Sequence, residues 1–211
     1  RLDVANEVDD GFLRAFRRSV KNARPDAVII GEVWENAEHY MRGDMLDGAM
    51  NYDFRRFCDQ FIAERRIDAA EFDTRVSTLI MRCQQQGLPA QLNLLDGHDT
   101  CRFLTSCGGD RERMEQAILF QMTFVGMPSV FYGDEKEMTG LTEPEYRAPM
   151  AWDAHPGMEE VYRKMIALRK GHTALSEGAF RTVRTCGGLI EYEREDGTEI
   201  VRIAVNAGEQ A

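Results

Sequence analysis

Three short segments of this chain set carboxylates where they could act together. Arg1-Leu2-Asp3-Val4-Ala5-Asn6-Glu7-Val8, Ile30-Gly31-Glu32-Val33-Trp34 and Leu94-Leu95-Asp96-Gly97-His98-Asp99-Thr100 each run from apolar residues into an acid, with an Arg, Trp or His close by. Carboxylates in company do nucleophilic and acid-base work, because one can hold a proton while another stays ionised. A single acid after a strand more often caps the next helix or faces water. On residue type alone, Arg1 suits a surface ion pair, His98 a bond to a loop carbonyl, and Trp34 a place in the core. Asp96 and Asp134 read as structural. His39, His155 and His172 are scattered without ligand spacing, and no Cys-x-x-Cys pair occurs, so neither a metal site nor a cofactor is expected.

The elements that must position these acids are short apolar runs alternating with helical patterns. Leu2–Ala5 reads as the end of a strand, and a helix follows with Asp9 and Asp10 at its start, Phe12, Leu13, Phe16 and Val20 on one face, and Pro25 beyond it. Ala27–Ile30 is apolar and β-branched, as in a buried parallel strand. Leu46–Met50, Ala90–Leu95 and Pro128–Tyr132 are further strands, with helices over Phe54–Ala63, Glu71–Gln86, Arg111–Phe124 and Glu159–Lys170. The last helix carries acid-before-base pairs four residues apart, Glu159 with Arg163 and Glu160 with Lys164, and Val161, Met165 and Leu168 on its apolar side. After Gly178 the pattern changes: Ile190–Arg194 and Glu199–Val205 alternate around Asp196-Gly197, a hairpin signal. The reading is therefore five β/α units over 1–177 and a small antiparallel β segment over 178–211. Strand-helix alternation fits either a (β/α)8 barrel or a doubly wound sheet, and in both the residues just past strand C-termini line the site.

Composition narrows the partners. The chain has 211 residues and a formal net charge of -10, from 36 acidic and 26 basic residues, which argues against nucleic acid. No apolar run reaches the roughly 18 residues of a membrane span; Ala117–Tyr132 comes closest and is broken by Gln121, Gly126 and Pro128. Five cysteines, an odd number, suggest free thiols in a reducing compartment, and the location expected is cytoplasmic. Arg1 opens directly into an apolar run, so an internal piece of a longer protein is expected.

The three acid segments, in order, resemble sequence regions of the alpha-amylase family of glycoside hydrolases. A fourth, Gly126-Met127-Pro128-Ser129-Val130-Phe131-Tyr132-Gly133-Asp134-Glu135, resembles that family's last-strand motif. Val4-Ala5-Asn6-Glu7-Val8, Met41-Arg42-Gly43-Asp44 and Met50-Asn51-Tyr52 are most similar to the neopullulanase and cyclomaltodextrinase branch, and the likeness runs from Arg1 to about Arg181. It implies a fold: α/β, a partial (β/α)8 TIM barrel comprising strands 4–8, followed by the start of a C-terminal β-sandwich. It implies an enzyme, a retaining glycosidase acting on maltodextrins, cyclodextrins, pullulan or starch. Asp3 would be the nucleophile, Glu32 the acid and then base, and Asp99 the group that holds sugar hydroxyls. A retaining pair stands about 5–5.5 Å apart. Arg1 would keep Asp3 ionised, an apolar neighbour such as Trp34 would favour protonated Glu32, and His98 would donate to a substrate hydroxyl; Arg1, His98 and Trp34 are thus the substrate-side residues.

Within the family, a transglycosylase or isomerase uses the same three acids, and a carbohydrate-binding barrel without turnover is the alternative of another class. A metal-dependent hydrolase lacks its paired histidines. The resemblance also implies three earlier barrel units before Arg1, with a motif carrying an Asp and an Asn-His pair. Five units cannot close an eight-stranded barrel, so the piece alone is expected to be weakly active or inactive, and either to associate through its open edges or to be unstable.

Overall fold

The computed structural model describes residues 1–83, 87–154 and 157–208. Leu2 bridges Gly31, β1 (Ile30–Gly31) pairs in parallel with β2 (Gly48–Ala49), Met50 bridges Leu92, and β3 (Leu92–Leu94) pairs in parallel with β4 (Met127–Ser129). The segments therefore lie side by side in chain order, all parallel. A doubly wound sheet reverses its order at a switch point; here each segment adds on the same side of the last, which is how a barrel wall winds. Gly48 permits one of these approaches, because a Cβ there would come within 1.9 Å of the Ala90 carbonyl oxygen.

Helices fill the connections. α1 (Asp10–Ala23) is capped by Asp9, whose carboxylate accepts the N–H groups of Gly11 and Phe12. Its Leu13 is buried against Ile29 and Leu46. Asp47 then ties helix to strand, accepting the Ile29 N–H at 2.8 Å and pairing with Arg17 at 2.7 Å and Lys21 at 3.0 Å. α2 (Tyr52–Cys58) runs into a π turn over Asp59–Ala63, and α3 (Ala69–Arg82) follows. After β3 come α4 (Phe103–Ser106) and α5 (Arg111–Thr123). After β4 come α6 (Glu143–Tyr146), α7 (Glu159–Gly171) and α8 (Thr173–Glu177). The chain ends in an antiparallel meander, β5 (Ala179–Cys186), β6 (Leu189–Glu195) and β7 (Ile200–Asn206).

The meander shares a core with the helices: Ile190, Tyr192, Ile203 and Val205 are buried with Phe54, Phe72 and Phe120. Two arginines finish the join by capping α5, whose last carbonyls have no helical partner. Arg169 donates to the carbonyls of Met122, Phe124 and Gly126, and the buried Arg194 to those of Thr123, Leu175 and Gly178.

Several sequence expectations change. Of Leu2–Ala5 only Leu2 joins the ladder, because the chain turns at Asp3 and Val4 and enters a 3-10 turn over Ala5–Glu7. Ala27–Ile30 is not uniformly buried: Ile29 packs under α1, but Val28, on the opposite face by alternation, is 57% exposed. Phe12 is also exposed, stacked on Phe16 at the rim. The pair Glu159–Arg163 does not form; Glu159 takes Lys136 from the loop after β4 at 2.5 Å, and Arg163 turns to Glu160. The expected end of α3 near Gln86, His155 and the last three residues of the 178–211 segment lie outside the described residues. His39 and His172 pair with Asp10 and Glu199, and the five cysteines are unpaired. Among the described residues no helix is long and apolar enough to cross a membrane.

Candidate active site

Glu32 stands directly after β1 and is 3% exposed. The first segment wraps it: Leu2 N–H donates to Ile30 O, Glu32 N–H to Leu2 O, and Ala5 N–H to Glu32 O. Between these bonds Val4 adopts φ 40 and ψ 47. A β-branched residue in the left-handed region is strained, and such strain gathers at functional sites. Here it aims the Val4 N–H at Glu32 Oε2, 2.9 Å away.

Arg1 joins the first two acids. Its Nη1 lies 2.5 Å from Asp3 Oδ1 and its Nη2 2.6 Å from Glu32 Oε1, while Nε faces Met50 Sδ at 3.2 Å. One planar fork thus holds both carboxylates, an arrangement that a lysine could not reproduce. Nε, Nη1 and Nη2 each meet a protein atom, so three of the five N–H donors serve the protein. The environments of the two acids differ sharply, with side-chain exposure of 72% for Asp3 and 4% for Glu32.

Asp99 projects from the loop after β3. His98 Nε2 is 2.8 Å from Asp99 Oδ2, and Arg147 Nη2 is 2.6 Å from Asp99 Oδ1. Arg147 Nε also donates to the His98 carbonyl at 2.6 Å, clamping backbone and side chain together. The clamp is set by α6, where Glu145 accepts the N–H groups of Leu141 and Thr142 and fixes the turn from which Arg147 leaves.

Tyr52 links the two halves. It follows the strand segment ending at Met50, and its ring stacks on Trp34 with centroids 4.1 Å apart and planes 12° from parallel. Burial, then the neighbouring charges of Glu32 and Asp99, hold its hydroxyl well above the usual phenol range. The hydroxyl faces Met50 Sδ at 4.0 Å and lies near enough to Glu32 for that charge to act on it. Trp34 remains 43% exposed, its ring offering a flat apolar face at the site. The structure thus joins Asp3 and Glu32 through Arg1, stacks Trp34 on Tyr52, and brings Asp99, paired with His98, near enough to Tyr52 for its charge to act there.

Tyr52 enters the sequence reading only within the Met50-Asn51-Tyr52 motif, with no role at the site, and Arg147 does not enter it. The strand-end rule would have pointed to Tyr52, whereas Arg147 meets Asp99 across 48 positions and has no local signal. Among the described residues no group of three or more His, Cys, Asp or Glu is arranged to hold a metal ion. Chemically, the site offers two carboxylates on one guanidinium, one buried and one open, with a third acid and an aromatic plane about Tyr52.

The chain is similar to known proteins along its whole length. The family described as alpha amylase, catalytic domain, matches residues 4–159. Neopullulanase 2 of Thermoactinomyces vulgaris is 45% identical over 185 residues, covering 86% of this chain and 32% of its own length. A cyclomaltodextrinase of Thermoanaerobacter pseudethanolicus is 40% identical over 214 residues, covering 100% of this chain and 37% of its own. The ligand-free structure of a cyclic alpha-maltosyl-(1-->6)-maltose hydrolase from Arthrobacter globiformis superposes with a TM-score of 0.95 at 32% identity, covering 99% of this chain and 48% of that one. The chain spans about a third of the length of the curated relatives it matches.

Proposed function

This chain belongs to the alpha-amylase family, and from that premise we propose that it is the part of a retaining α-glycosidase that carries the three catalytic acids. The five parallel segments are read as strands 4–8 of a (β/α)8 barrel, with 1–177 its C-terminal part and 178–211 the start of a β domain. The observation that carries the reading is the single Arg1 guanidinium holding Asp3 and Glu32 side by side. Carboxyls that close suit double displacement, since inverting enzymes need room for a water between them.

The open Asp3 carboxylate attacks the anomeric carbon as Glu32 gives its proton to the leaving oxygen, so the glycosidic bond breaks as a glycosyl ester forms. Glu32 then takes a proton from water, which attacks the same carbon and releases Asp3. Asp99, oriented by His98 and Arg147, accepts hydrogen bonds from sugar hydroxyls and steadies the oxocarbenium-like transition state. Trp34 and Tyr52 supply a stacked apolar face for a sugar ring. The substrates are α-linked glucans, among them maltodextrins, cyclodextrins and pullulan. This draws on the names neopullulanase and cyclomaltodextrinase borne by its relatives. A cytoplasmic location accords with the unpaired cysteines.

The test is Asp3→Asn in the complete protein with a cyclodextrin or maltotriose. Loss of the nucleophile should cost several orders of magnitude in kcat, and NMR on the wild type should show the first product with the substrate's anomeric configuration. Wild-type turnover by Asp3→Asn, or an initially inverted product, would overturn the mechanism.

A further inference from the structure

Arg147 and Asp99 meet where both are partly open to solvent, with side-chain exposures of 44% and 25%. An ion pair of that kind holds little by itself. It keeps Asp99 in one place only if the two backbones it joins are themselves fixed. Asp99 stands on the loop between β3 and α4, and Arg147 leaves the end of α6. Whatever locks one segment against the other therefore decides where Asp99 stands.

One buried arginine does this. Arg102 is fully buried at the base of the Asp99 loop, beside Phe103, whose N–H donates to Asp96 Oδ2 at 2.7 Å and closes that loop. The backbone N–H of Arg102 donates to Gly140 O at 2.9 Å. Its Nη1 donates to Tyr132 O at 2.6 Å and to Asp134 Oδ1 at 3.2 Å, both beyond the end of β4. Its Nε and Nη2 have no hydrogen-bond partner among the described residues. The guanidinium lies instead over two rings, 4.2 Å from the Phe131 centroid and 4.8 Å from that of Tyr132. One carboxylate, one carbonyl and two ring faces thus offset the cost of burying this charge. A single side chain grips the whole run 131–134.

From there the grip passes to Arg147 by two routes. Gly140 N–H donates to Thr105 Oγ1 at 2.9 Å, so Arg102 and Thr105 between them hold both polar groups of that glycine's backbone. On its other side Gly140 abuts α6, where a Cβ would come within 2.6 Å of the Glu145 carbonyl carbon and the Tyr146 nitrogen. By the second route, the Tyr132 hydroxyl donates to Ala148 O at 2.8 Å, one residue beyond Arg147.

We propose that Arg102 is a positioning residue for Asp99: it locks the Asp99 loop to the segment after β4 and so sets where Arg147 holds the carboxylate. The inference rests on the reading above that Asp99 acts on bound sugar. Arg102 is enclosed and meets no sugar itself, so its effect on turnover passes through Arg147.

The experiment uses the complete protein, with kcat and KM on maltotriose measured well below the melting temperature. Lysine keeps the charge of Arg102 but not its flat face against the rings. Arg102→Lys should lose about 10-fold in kcat, but less than about 2-fold when Arg147→Met has already removed the clamp. Arg194→Lys, which alters an equally buried arginine at the join with the meander, should lower Tm yet leave kcat within about 2-fold of wild type. The proposal is overturned by wild-type kcat in Arg102→Lys, by equal losses with and without Arg147, or by an equal loss in Arg194→Lys. If Arg102→Lys does not fold, Tyr132→Phe takes its place in the cycle, removing only the bond to Ala148 O. It should cost about 3-fold with Arg147 present and nothing without it, and equal losses overturn the proposal. Full turnover by Asp99→Asn sinks the assignment of Asp99, a failure distinct from these.

Discussion

Replacing Arg1 should separate holding the acids from binding the sugar. In Arg1→Ala both carboxylates lose their shared donor. A charge-assisted hydrogen bond contributes about 1.5–3 kcal/mol, but an exposed ion pair contributes only about 0.2–1 kcal/mol. The contact with Asp3, whose side chain is 72% exposed, belongs at the low end, and that with Glu32, 4% exposed, at the high end. Together they amount to about 3 kcal/mol, or about 100-fold in kcat/KM. Arg1→Lys keeps the charge but cannot span both acids, and should lie between, at about 10-fold below wild type. Because every Arg1 nitrogen already faces protein, the loss should fall on kcat with KM little changed. Steady-state kinetics of the complete protein on a cyclodextrin, with thermal melts to verify folding, would measure it. A Lys variant equal to wild type, or a loss confined to KM, would refute the fork.

Other outcomes follow from the same contacts. Tyr52→Phe should cost a few-fold in kcat by removing the hydroxyl near Glu32, whereas Tyr52→Leu should also raise KM because the stack on Trp34 is lost; the two kinetic constants distinguish them. Arg194→Met leaves the carbonyls of Thr123, Leu175 and Gly178 without their buried donor, and should destabilise the protein by about 3–5 kcal/mol, read from the urea midpoint. A polypeptide of residues 1–211 alone should self-associate and turn over poorly. Leu2 and β4 each pair on one side only among the described residues, and an apolar groove of about 550 Å³ lies between Val130–Tyr132 and α7; sedimentation velocity showing a fully active monomer would contradict this.

The alternation of strand and helix was legible because burial follows residue type along most of the chain, as at Leu94, Phe72 and Phe120. Ladder lengths were not. Apolar character reports what a residue is suited to bury, not whether a neighbour is at hand, so Val28 looked like core and is exposed. β5 gave no clear signal because a register shift between Thr182 and Arg184 interrupts its alternation. The acids themselves were readable from their strand ends. Their partners were less so, since Arg147 reaches Asp99 only through the turn built after β4. Asp96 and Asp134 look structural by type, and only the fold shows that Asp96 accepts the Phe103 N–H while Asp134 pairs with the buried Arg102.

The site is assembled from two separately built halves. The Glu32 half is made by the first three strand segments, where Leu2, Val4 and Arg1 close around one buried acid. The Asp99 half is made by the loops after β3 and β4, with Asp96, Arg102 and Asp134 beneath and Arg147 above. Tyr52, which follows the middle segment, is where the halves meet, near enough to both Glu32 and Asp99 for each charge to act on its hydroxyl. A change in the Asp96–Asp134 base should therefore move Asp99 without disturbing the Arg1 fork, whereas a change at Tyr52 acts on both. Coupling between variants measures this directly: Arg1→Lys and Asp134→Ala should be close to additive in kcat, and each should be non-additive with Tyr52→Leu.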